Sequence, residues 1–108
     1  MAEKLLQIHF KLITTPREYH ELASHVAPAI AALPGLRWKV WTLNESRLEG
    51  GGVYLFENQQ ALDAYVTGDI IAALKSHPGV RDVTLTQSDV MTDVTATTRG
   101  PVGAVTMA

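Results

Sequence analysis

The sequence predicts an α+β domain, with one antiparallel sheet carrying its helices on a single side. Three observations predict it. Strand-like and helix-like patterns follow one another in the order strand, helix, strand, strand, helix, strand. The phrases Leu33-Pro34-Gly35-Leu36-Arg37 and His77-Pro78-Gly79-Val80-Arg81 each end a helix and begin a strand, which divides the chain into two βαβ halves. Between the helices, Pro34 to Glu57 holds two strands that are apolar on both parities. Successive strand residues face opposite ways, so such strands need cover on both sides, and one layer of helices covers only one.

Composition narrows the function classes. The chain has 108 residues, 46% hydrophobic and 19% charged, enough for one domain with its own core and unlike a disordered segment. A net charge of −2 with scattered basic residues provides no electrostatic footprint for nucleic acid and no basic run for a membrane surface. With no cysteine there is no disulfide framework, thiolate nucleophile or metal–thiolate site. The opening MAEKLLQIHFKL lacks the apolar core and cleavage site of a signal peptide. Val26 to Leu36, the longest nearly apolar run, contains two prolines and is too short to cross a bilayer. A cytoplasmic protein is expected.

Lys4 to Ile13 alternates, with Leu6, Ile8, Phe10 and Leu12 on one face and Gln7, His9 and Lys11 on the other, so it reads as a strand. Thr15-Pro16-Arg17-Glu18 matches a capping box with proline at the first helical position. Tyr19, Leu22, Ala23, Val26, Ile30 and Leu33 then recur at helical spacing as one buried stripe. Pro28 inside this helix removes a hydrogen bond to Ser24, at about 3 kcal/mol, and predicts a kink. Pro34-Gly35 stops the helix.

Strands at Leu36–Leu43 and Gly52–Glu57 follow, joined by a loop, Asn44 to Gly51, too long to fix their register by turn type. If Trp38 pairs with Phe56, then Trp38, Val40, Tyr54 and Phe56 share a face. A one-residue slip would exchange the second strand's two sets. Asn58 can cap the next helix, which carries Leu62, Tyr65 and Val66. Thr67-Gly68-Asp69 interrupts it, Asp69 can cap a continuation with Ile70, Ile71 and Leu74, and His77-Pro78-Gly79 ends it. Val80 to Met91 is the last strand.

This order is that of a ferredoxin-like βαββαβ domain over residues 1–91, with an extended C-terminal tail over 92–108. Its sheet leaves one face bare, and because that face is apolar a homodimer is the simplest cover.

Candidate chemistry is sparse. Gly50-Gly51-Gly52 precedes a strand, whereas a phosphate-cradling loop precedes a helix, so the triplet reads as a turn or bulge needing unusual dihedrals. His20 and His25, five apart, diverge around a helix, and no metal set is expected. His9, mid-strand, is either an interface side chain or a pocket base able to take a proton at neutral pH. Lys39 is either a surface lysine whose stem covers apolar area or a charge aimed at a phenolate or enolate. Trp38, Trp41, Tyr54 and Tyr65 are core fillers or the walls of a pocket for a flat aromatic ligand.

Trp38-Lys39-Val40-Trp41-Thr42, Gly51-Gly52-Val53-Tyr54-Leu55-Phe56 and the first strand Leu5-Leu6-Gln7-Ile8-His9-Phe10 together resemble the YdhR-type monooxygenase family, nearly along the whole chain to about Met91. The resemblance implies a dimeric α+β barrel close to small monooxygenases of antibiotic biosynthesis, which oxidise aromatic phenols to quinones without metal or flavin. It points to His9, Trp38, Lys39, Trp41 and Tyr54 as pocket candidates. The expected function is thus a cofactor-independent monooxygenase acting on a small aromatic substrate, with His9 or Lys39 assisting ionisation. The alternatives are a non-catalytic dimeric barrel that binds a small hydrophobic ligand or serves a stress response, and haem binding with His77 as axial ligand.

Overall fold

The protein is described by a computed structural model covering residues 2–103. Four strands and four helices follow one another as β1 (Lys4–Leu12), α1 (Pro16–Ala31), β2 (Leu36–Asn44), β3 (Glu49–Phe56), α2 (Gln59–Val66), α3 (Asp69–Ser76), β4 (Val80–Asp89) and α4 (Thr92–Thr97). The sheet order is β2-β3-β1-β4, antiparallel throughout. Each βαβ half therefore receives a strand of the other half between its own two. This is the expected ferredoxin-like α+β architecture.

Local chemistry accounts for the element ends. Thr15 and Glu18 form the reciprocal box, the Glu18 N–H donating to Thr15 Oγ1 and the Thr15 N–H to Glu18 Oε1, each at 3.1 Å. α1 runs on through Pro28 to Ala31. Asn58 Oδ1 accepts the Ala61 N–H at 2.8 Å and starts α2. α3 differs slightly from expectation, since Gly68 occupies its cap position and Asp69 lies inside its first turn. The core is the helix-facing side of the sheet, Leu6, Ile8, Phe10, Leu12, Tyr54 and Phe56, packed against Tyr19, Ile30, Leu62, Tyr65 and Ile71. No helix among the described residues is long and apolar enough to cross a membrane.

The register of β2 against β3 carries an irregularity. Leu36 pairs with Phe56, but Trp38 pairs with Leu55, so Arg37 is an extra residue on β2. From there Lys39 faces Tyr54, Val40 faces Val53 and Trp41 faces Gly52. The slip turns Lys39 and Trp41 to the helix side with Tyr54 and Phe56, and sends Trp38 and Val40 to the far face with Val53 and Leu55.

The glycine triplet is part of β3, and none of its members has a positive φ, so it serves room and not dihedral freedom. A Cβ on Gly50 would press on the Phe10 and Tyr19 rings at 3.1 Å, one on Gly52 would lie 2.6 Å from Lys39 Cε, and one on Gly51 would collide with the Ile8 carbonyl. The unusual dihedral falls instead on Leu48, at φ 53° in the four-residue loop.

The segment after β4 is also different from expectation. Thr92–Thr97 is helical, not extended, with the Thr97 and Thr98 hydroxyls donating back to the Asp93 and Val94 carbonyls. The chain then returns to the sheet. The Trp38 indole Nε1–H donates to the Pro101 carbonyl at 2.8 Å, and the Gly103 N–H donates to Glu3 Oε1 at 2.7 Å. The remainder of the expected tail, 104–108, lies outside the described residues. Because Gly51 lies flat against the β1 backbone, Gly51→Ala is expected to lower unfolding free energy by about 2 kcal/mol or more, measured by urea denaturation. An unchanged midpoint would contradict that close approach.

Candidate active site

Between the sheet and helices α1 and α3 lies a cavity of about 290 Å³. Its floor is Ile8, Phe10, Gly51 and Tyr54; Lys39 and Trp41 come from β2, and Tyr19, Leu22, Ala23, Val26 and Ile30 from α1. Tyr65 closes one side, while Asp69, Ile70, Ala73, Leu74 and His77 complete the wall. Leu22, Ala23 and Val26 were expected in the core stripe. They are only half-buried because this part of the stripe looks into empty space.

Most polar groups here are already engaged. The Tyr54 and Tyr65 hydroxyls bond each other at 2.8 Å, and Tyr19 donates to the Gly51 carbonyl at 3.4 Å. Burial raises the pKa of all three phenols, and for Tyr54 the neighbouring Tyr65 adds to the effect. They are neutral walls. His77 Nδ1 accepts the Gly79 N–H at 2.9 Å, which places the proton of the neutral ring on Nε2.

Lys39 is different. Its Nζ lies 3.2 Å from the centroid of the Trp41 ring and 4.4 Å from that of Tyr54, with no hydrogen bond or ion pair among the described residues. Burial pulls its pKa from 10.5 to about 7. The ring faces attract the ammonium form by about 1–2 kcal/mol, or about one pKa unit. That is the smaller effect, so the free amine is far more accessible near neutral pH than in a solvated lysine.

The structure therefore brings together Lys39, Trp41, Tyr54 and Tyr65. It does not bring Trp38 or His9 to them. Trp38 sits on the far face, bonded to Pro101, because Arg37 shifts the register. His9 is exposed on that same face, with Nε2 3.1 Å from Glu49 Oε1. Lys11 and Arg47 also hold this carboxylate, at 2.7 and 3.3 Å. Lys11 first, then His9 and Arg47, pull the Glu49 pKa to about 2. His9 thus belongs to a surface ion cluster. Tyr19 and Gly52 were missed as site residues. Tyr19 looked like one more core position of α1, and Gly52, whose missing Cβ admits the Lys39 stem, like part of a turn.

The lowered Lys39 pKa sets a sign for stability. Between pH 7 and 10.5 the unfolded chain holds a proton on Lys39 that the folded chain has released, so the penalty on folding is full below pH 7 and gone above 10.5. Lys39→Met is accordingly expected to raise the melting temperature relative to the parent most at pH 6, the difference shrinking steadily toward pH 10. A difference independent of pH would show that Lys39 is solvated.

Comparison with solved structures finds the same fold. SnoaB, a cofactor-independent oxygenase from Streptomyces nogalater, superposes with a TM-score of 0.69 at 11% identity, over 83% of this chain and 94% of that one. MhuD, a heme-degrader from Mycobacterium tuberculosis whose structure holds two hemes in its active site, superposes with a TM-score of 0.62 at 20% identity, over 82% and 97%. No curated protein sequence matches the chain. The model of the family described as "Putative mono-oxygenase ydhR" matches residues 5–101, and the chain belongs to that family.

Proposed function

We propose that this protein is a cofactor-independent monooxygenase that oxidises a small electron-rich phenol or anthrone in the cavity, with Lys39 as the proton acceptor. The observation that carries the reading is one unpaired amine with a pKa of about 7, held against aromatic rings in an otherwise apolar cavity. Membership of a monooxygenase family and a fold shared with a cofactor-independent oxygenase support it.

The chemistry asks little of the protein. A deprotonated electron-rich ring can pass an electron to dioxygen itself. Recombination of the two radicals forms a C–O bond; loss of water then leaves a carbonyl where an anthrone had its CH₂, one oxygen atom retained and one released as water. The enzyme must bind the ring, take its proton and keep water out. Trp41, Tyr54 and Tyr65 supply flat apolar walls, and the neutral Lys39 amine supplies the base.

The haem reading fits less well. His77 is the histidine that lines the cavity, and its Nδ1 takes the Gly79 N–H. That leaves a proton on Nε2, where an iron ligand needs a lone pair, so axial ligation would require breaking this turn. A non-catalytic binding role fits the same apolar walls and differs only in lacking turnover. We also infer a homodimer through the far face, where Val40 is 55% exposed beside half-buried Val53.

Oxygen uptake by metal-free protein across a panel of anthrones and hydroquinones is expected to exceed the uncatalysed rate. kcat/KM should rise as pH crosses about 7 and level off above it, and Lys39→Met should lose roughly 10²–10⁴-fold. Quenching of Trp41 fluorescence without uptake on any substrate would leave the binding role and sink the oxygenase. Light scattering at micromolar concentration is expected to give the mass of two chains; a monomer would end the dimer inference.

A further inference from the structure

The geometry points to a second reactivity at Lys39, the covalent capture of small hydrophobic aldehydes as imines. The amine lies against the Trp41 ring at 3.2 Å and the Tyr54 ring at 4.4 Å, and its stem passes over Gly52, where a Cβ would come within 2.6 Å of Cε. The nitrogen is thus confined within a cavity whose walls favour apolar and aromatic guests. The other ionisable groups facing this space are Tyr54 from β3, Tyr19 from α1, Tyr65 from α2, Asp69 from α3 and His77 beyond it. None forms an ion pair or hydrogen bond with Nζ, so no carboxylate holds the amine as an ammonium ion. An uncharged lysine in an apolar pocket is the setting in which this side chain acts as a nucleophile.

The step balances without an external oxidant or reductant. The Nζ lone pair adds to the aldehyde carbon, the carbonyl oxygen takes up two protons, one of them from nitrogen, and water leaves with the C–O bond pair as the C=N bond closes. A protonated imine results. Return of water releases amine and aldehyde unchanged. In the cavity the aldehyde's aromatic body would lie among Trp41, Tyr54 and the α1 side chains. Aliphatic and aromatic aldehydes are therefore the fitting class, and charged oxo acids are not, since no arginine and no second lysine lines the cavity among the described residues.

The remaining lysines are internal controls. Lys4 pairs with Asp89, Lys11 pairs with Glu49, and Lys75 is exposed. Intact protein is incubated at pH 7 with benzaldehyde and cyanoborohydride, which reduces the imine to a stable benzylamine, and the adduct is located by peptide mass mapping. Lys39 is expected to react roughly tenfold or more faster than any of the other three, since a lysine of ordinary pKa is nearly all protonated at pH 7. Excess naphthalene, which fills the cavity but has no carbonyl, should slow labelling of Lys39 and leave the others unchanged. Lys39→Arg, which keeps a long basic side chain but cannot form the imine, should remove the adduct while the thermal transition shows a folded protein. Labelling spread evenly over the four lysines, or undiminished by naphthalene, would overturn the proposal. Oxygen uptake and imine trapping report on different bonds, so either activity can fail while the other stands.

Discussion

The arrangement of this molecule depends on the pairing of β2 with β3, and that pairing depends on one extra residue. Glu57 donates its N–H to the Gly35 carbonyl at 2.8 Å, and Gly35 sits at φ 81°, so the entrance of β2 is fixed before the strand begins. Leu36 still pairs in step with Phe56; Arg37 does not, and everything after it is turned over. Since side chains alternate with a period of two, a single insertion exchanges every contact further along the strand. Without it the cavity would hold Trp38 and Val40, and Lys39 would point to the far face. The insertion is what gives the cavity an amine.

Once Lys39 is inside, two effects compete for its proton. Withdrawal from water favours the neutral amine, while the faces of Trp41 and Tyr54 favour the cation. Burial prevails, drawing the pKa down to about 7, and the rings oppose it without reversing it. A carboxylate beside the nitrogen would change the outcome, as Glu49 shows on the other side of the sheet. There three basic groups surround one acid, and the acid is the strongly shifted partner. The same sheet thus carries a carboxylate that holds its charge firmly and a lone base that holds its charge loosely. With its pKa drawn down to about 7, that lone base can take up and release a proton around neutral pH.

Much of the fold was legible from the residues because local signals agreed with one another. The alternation of β1, the Thr15–Glu18 box, the Asn58 cap and the two Pro-Gly stops each locate an element end without reference to anything distant. The site was legible only in composition. Trp41, Tyr54, Tyr65 and Lys39 are identifiable as residue types suited to a pocket, but whether Trp38 or Trp41 enters it depends on a bulge that no turn type encodes. His9 misled for a related reason. Its parity shows that it leaves the core, but not that Glu49, forty residues away, would meet it across β3. Thr92–Thr97 lacked both strong helix formers and a stripe, and its helix is secured by hydroxyl bonds to its own backbone and by the return of the chain to Trp38 and Glu3.

The far face shows how one sheet with two apolar sides avoids burying both in the same way. At its Trp38–Leu55 end the C-terminal segment reaches back, and Leu55 is only 1% exposed. At its Lys11–Glu49 end charge pairs close the surface without apolar cover. Between them lie Val40 and Val53, paired across β2 and β3 and flanked by Gln7 and Thr86 in the same row. The apolar area left for a second copy is therefore a strip across the middle of the sheet near its β2 edge, not the whole face. A partner would have to seat against Val40 while fitting between the returning segment and the ion cluster. On the helix side large side chains form the core, and space is left around Lys39, where Gly50, Gly51 and Gly52 keep β3 thin. The space withheld from packing there is the space in which a ring and an amine can meet.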